Sequence, residues 1–140
     1  MAIARQVIQR PDPGEEGRAD YWRSLSEIAT GEFKQRARRE PKNTEAAIAD
    51  LMCALEANEK AARLAPRRGA LLGQAEYKAG RLFRYAIQHQ RYALAEHALA
   101  RRESLVGENP FLRKDLEDDR RKLDDLLQAS ATRKSSAPTP

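Results

Sequence analysis

Apolar residues recur along this chain at three- and four-residue steps, and no segment alternates apolar with polar. That period is helical. Trp22, Leu25, Ala29 and Phe33, with Ile28 beside them, share one face. They predict a first helix capped by Asp20 and running to about Arg39. The stretch "REPKN" ends it, because the residue before Pro41 resists helical geometry. Asn43 or Thr44 caps a second helix, and Glu45 in its first turn favours the dipole. Ile48, Leu51, Leu55 and Ala62 supply its stripe. "LAPRRG" closes it: Pro66 cannot continue the hydrogen-bond ladder, and Gly69 allows the chain to turn.

The third helix begins near Ala70. Leu72, Ala75, Ala79, Leu82 and Ala86 make a narrow seam of small residues that a neighbouring helix can approach closely. Gly73 and Gly80 each weaken it by ~1 kcal/mol against Ala. No Pro or Gly interrupts residues 81 to 106. Either one helix runs through, or a tight turn near His89 makes two. The break is favoured, because two antiparallel helices bury more surface. The pattern resumes as Leu94, Ala95, Ala98, Leu99 and Leu105 and stops at Gly107. Asn109 then serves as an N-cap with Pro110 at the first helical position. Leu112, Leu116, Leu123 and Leu127 mark the last helix.

The expected fold is therefore all-α, an antiparallel helical bundle or short α-solenoid of four to five helices with flexible termini. "RPDPGEEG" argues for a flexible arm over residues 1–18, and "ASATRKSSAPTP" for a disordered tail over 129–140. Residues 19–128 form the helical domain. Composition supports this: Ala and Leu abound, β-branched residues are few, and charged residues reach 34%, as solvated outer faces of amphipathic helices require.

Little in the chain carries chemistry. Cys53 is the only cysteine, which excludes an intrachain disulfide and a CxxC metal site. Its place in "LMCAL" reads as a small buried apolar residue. His89 and His97 are too far apart for an i, i+4 metal pair and read as structural or surface residues. No phosphate-binding glycine loop or nucleophile elbow occurs. The acids of the last helix interleave with "RRK" as i, i+4 pairs. No enzyme activity, cofactor or metal is expected. An apolar run of the roughly 18 residues that a membrane span needs is absent, and no secretory leader is expected. The expected location is cytoplasmic.

"ALEANEKAARLAP" and "YALAEHALARRESLVGENP" resemble the second helix of a tetratricopeptide repeat. Ala54 and Ala61 match its small residues seven apart, and Pro66 the proline that ends the unit; Ala98, Leu105 and Pro110 match in the second stretch. Pro66 and Pro110 lie 44 residues apart, against about 34 in the repeat. The resemblance implies stacked helical hairpins whose concave face binds a peptide or protein. It assigns no binding residue.

Charge is unevenly placed along the chain. Residues 60–91 hold eight bases against the single acid Glu76, a net of +7 in a chain of +5, so the remainder carries −2. On a helical wheel Tyr77, Arg81, Arg84 and Gln88 share a face opposite the alanine seam. Leu82, Phe83 and Ala86 are expected in the core, and Tyr85 and Tyr92 at its edge. The candidate partner-binding residues are Arg67, Arg68, Tyr77, Lys78, Arg81, Arg84 and Arg91. The expected function is a non-enzymatic protein-interaction or adaptor module, its partner an acidic protein or a second copy of itself. The alternatives are a small nucleic-acid-binding protein and a structural subunit of a larger assembly.

The leucine stripe after Gly107 predicts that the last helix is integral to the fold. Burying its leucines contributes ~1.5–3 kcal/mol each before entropy is subtracted. Deleting residues 129–140 should barely move Tm, whereas ending the chain at Gly107 should lower it sharply or give aggregates. An unchanged Tm for the shorter chain would reassign this helix as an interaction element.

Overall fold

The computed structural model describes residues 15–107 and 109–135. Among them are five α-helices and no strand: α1 Glu15–Arg39, α2 Thr44–Leu64, α3 Gly69–Gln88, α4 Tyr92–Val106 and α5 Pro110–Ser135. The protein is all-α. Residues 1–14 and 136–140 of the expected arm and tail lie outside the described residues. The arm was expected to reach residue 18, but α1 already begins at Glu15. No proline intervenes, and the earlier start buries Ala19 completely. Asp20 is consequently no cap; its carboxylate accepts from Arg68. Residues 129–135 are helical rather than disordered, because neither Pro nor Gly stands there to stop an established helix.

The chain divides into two compact units at the junction of Leu82 and Phe83, within α3. In the first unit α1 and α2 are antiparallel: Trp22 meets Lys60, Ser26 meets Ala54, and Arg36 meets Asp50. The α3 residues Lys78 and Arg81 meet Ser26 and Phe33, so α3 runs parallel to α1. Trp22, Leu25, Ala29 and Phe33 are buried as their spacing predicts, and Leu51, Ala54, Leu55 and Ala61 face them from α2. Asn43 caps α2, its side chain accepting from the Ala46 N–H. The Pro66 turn needs no left-handed residue; Gly69 simply starts α3, and Gly107 is the glycine with positive φ among those described. On α3 the seam is Leu71, Ala75, Ala79 and Leu82. Leu72, expected in that seam, is 45% exposed. A step of four from Leu71 to Ala75 puts Leu71 on the axis of the buried face.

In the second unit α4 and α5 are antiparallel, joined by Arg102 to Asp119 and Glu96 to Arg120. Ala95, Ala98, Leu99, Val106, Leu116 and Leu123 are buried. The four-leucine stripe is only partly inside: Leu112 is half-buried and Leu127 exposed. Asn109 caps α5 by accepting from the Phe111 and Leu112 N–H groups. Arg113 reaches back to donate to the Gly107 carbonyl. Gly107, at φ 56 and ψ −130, holds a conformation that side-chain-bearing residues avoid.

The favoured break near His89 is present, and its chemistry explains why no glycine announced it. Gln90 takes φ 58. The Arg91 N–H bonds the Ala86 carbonyl and the Gln90 N–H the Ile87 carbonyl, the paired closure of a Schellman motif. Glycine ordinarily fills that left-handed position; a glutamine there costs ~1 kcal/mol. Gln90→Gly should therefore raise the denaturant midpoint, by up to ~1 kcal/mol in stability, and Gln90→Val should lower it. The opposite order would mean that the turn is held by something other than this backbone motif.

Candidate functional site

The basic segment begins on the turn before α3. Arg67 and Arg68 are exposed there. The Arg68 guanidinium donates to Asp20 at 2.8 Å, which holds the Asp20 carboxyl below its usual range. Lys60, at the far end of α2, sits with its ammonium 4.1 Å above the Trp22 ring. Arg81 lies 5.1 Å above Phe33; it is half-buried, its stem covering an aromatic while its charge reaches water.

Lys78 is the residue that sequence reasoning misplaced. Expected to face a partner, it is 8% exposed. Its Nζ donates to Ser26 Oγ at 2.6 Å and to Glu27 Oε1 at 3.1 Å. Ser26 Oγ donates in turn to the Ala54 carbonyl at 2.7 Å, with Asn58 Oδ1 at 3.3 Å. The Asn58 amide donates to the Leu71 carbonyl at 2.9 Å. Burial draws the Lys78 pKa below 10.5, opposed by Glu27. The spacing carried the signal: Lys78 is seven residues after Leu71, three after Ala75 and four before Leu82, all on the buried face.

A lysine beside a serine is a constellation used for nucleophilic catalysis. Here Ser26 is fully buried, its proton is committed to a main-chain carbonyl, and the ammonium donates rather than accepts. This pair is a packing element that ties three helices together. Cys53 is half-buried, and burial pushes its thiol up to about 11. A thiol so protonated is a poor nucleophile at neutral pH. Among the described residues no three His, Cys, Asp or Glu side chains converge to hold a metal ion. In the second unit His89 stacks on Tyr85 at 4.2 Å and His97 is exposed. An open depression there, lined by Glu103, Arg113, Glu117, Arg120, Arg121 and Asp124, carries both signs of charge equally.

What remains outward on α3 is a line of different character. Ala70, Gly73 and Tyr77 are exposed, Tyr77 to 59%, with Leu72 on one flank and Arg81 one turn further on. A Cβ added at Gly73 would meet nothing within 4 Å. Arg84 and Arg91, both exposed, belong to the second unit. Tyr85 and Tyr92 sit half-buried as expected, and Leu82, Phe83 and Ala86 are in the core.

The fold and this face define an all-α chain with an exposed aromatic–arginine surface. Comparison with models of protein families, with curated proteins and with solved structures finds no match.

The buried ammonium sets a pH dependence. The folded chain holds the Lys78 proton more weakly than the unfolded chain does. Just below pH 10.5 the unfolded state therefore binds more protons, and stability rises with pH there. Lys78→Met should flatten that rise in urea titrations, and should match or exceed the parent in stability near neutral pH, since the ion's desolvation is removed. A variant with the parent's slope would assign the pH dependence to another group.

Proposed function

We propose that this chain is a non-enzymatic binding module, an adaptor that holds an acidic protein partner on the outward face of α3. The carrying observation is Tyr77, 59% exposed, standing between the open backbone at Gly73 and the Arg81 guanidinium. Tyrosine and arginine dominate the energetics of protein interfaces, and small residues beside them let a partner's backbone come close. The reading is intracellular, in the cytoplasm. Among the described residues no helix is long and apolar enough to cross a membrane.

Nucleic acid is the second reading, favoured by the +7 of residues 60–91. It ranks lower because several of these cations are engaged at home, among them Lys60 on Trp22, Arg68 with Asp20 and Lys78 inside. Each cation so held is worth less to a phosphate ladder, where affinity follows the number of contacts neutralised.

A photoreactive amino acid in place of Tyr77, irradiated in living cells, tests the reading. Crosslinks should go to protein, and Arg81→Glu in the same chain should reduce their yield at least about tenfold, the equivalent of ~1.4 kcal/mol at one interface contact. Crosslinks to RNA or DNA, or purified protein binding an oligonucleotide with a steep salt dependence, would replace it with the second reading.

A further inference from the structure

We infer that the partner of the α3 face is a second copy of this chain, which docks the Phe111 end of its α5 against Gly73 and Tyr77. This rests on the reading above, with the partner's acidity local to α5 of a chain whose net charge is +5. Phe111 is the most exposed large apolar side chain of those described, at 81%. It stands in the first turn of α5, immediately after Pro110. Four and seven residues on, along the same helical line, come Asp115 and Asp118, both exposed. The stretch from Asp115 to Asp119 holds four acids, flanked by Arg113 and Lys114 on one side and Arg120, Arg121 and Lys122 on the other. Asp119 is committed to Arg102 within its own unit.

The α3 line has the complementary order. Gly73 leaves bare helix backbone with open space above it; Tyr77 follows at four residues and Arg81 at eight. At about 1.5 Å per residue, Phe111 to Asp118 spans about 10 Å and Gly73 to Arg81 about 12 Å. A Phe111 seated over Gly73 therefore brings Asp115 beside Tyr77 and Asp118 within reach of Arg81, with the two helices parallel. An apolar side chain meets bare backbone, and acids meet a base, along one line. The two surfaces differ, so the contact is head to tail, and each copy keeps one Phe111 end and one α3 face unoccupied until the next copy or ring closure covers them.

Sedimentation velocity of the full chain across a concentration series tests this. Association should be present at low salt and weaken at least tenfold near 1 M salt, where screening shortens electrostatic reach to about 3 Å. Phe111→Ser and Gly73→Gln should each weaken it at least about tenfold, ~1.4 kcal/mol, with helicity by circular dichroism unchanged, since neither side chain is enclosed by its own fold. The decisive arm is a charge swap. Arg81→Glu alone and the pair Asp115→Lys with Asp118→Lys alone should be monomeric, while their equimolar mixture should associate again. A monomer at every concentration, a salt-indifferent oligomer, or a mixture that stays monomeric overturns the proposal. Crosslinks from position 77 to a different protein in cells would overturn it too, while leaving the adaptor reading standing.

Discussion

The rotation of α3 in the first unit is set by one buried ammonium. An ion taken from water costs several kcal/mol unless hydrogen bonds and charge replace its hydration. Lys78 finds both in Ser26 and Glu27, which lie on successive positions of α1. Because those partners occupy fixed places, α3 can present Lys78 to them at one rotation only. That rotation turns Leu71, Ala75, Ala79 and Leu82 inward and leaves Gly73 and Tyr77 outward. A purely apolar seam of alanines would permit slippage by a turn; a polar contact does not, since a slipped lysine would be buried without partners. The outward binding face is thus a consequence of an inward hydrogen bond.

Asn58 extends the same logic to α2. It sits fully buried and donates to the Leu71 carbonyl, which belongs to the first turn of α3. Together Ser26, Asn58 and Lys78 link α1, α2 and α3 through groups that must be satisfied. The second unit has a related device: Arg102, 4% exposed, is paired with Asp119 across α4 and α5. In both units the shape of the apolar surface allows many packings, and one polar contact selects among them.

The same contacts reduce what the surface can offer. Eight cations in residues 60–91 read as one basic segment in sequence, yet the fold uses several internally, on rings and carboxylates. Arg81 is both at once, covering Phe33 and pointing outward. What is left is less a phosphate-binding stripe than a small, mixed surface of aromatic, glycine and arginine.

The helices follow from signals that are local in the sequence. Three- and four-residue spacing placed Trp22, Leu25, Ala29 and Phe33 in the core, Pro41 and Pro66 marked two turns, and Asn109 with Pro110 opened α5. Even the break after Gln88 followed from economy of burial, though its left-handed Gln90 was invisible because a backbone conformation leaves no mark when glycine is not used. Tertiary structure alone decided the polar interior and the surface. Whether Leu71 or Leu72 turned inward, and whether Lys78 met water or Ser26, depended on residues about fifty positions away in the chain. A hydrogen bond between distant residues has no period in the sequence; it exists only once three helices are packed, and only then is it settled which side chains are left facing out.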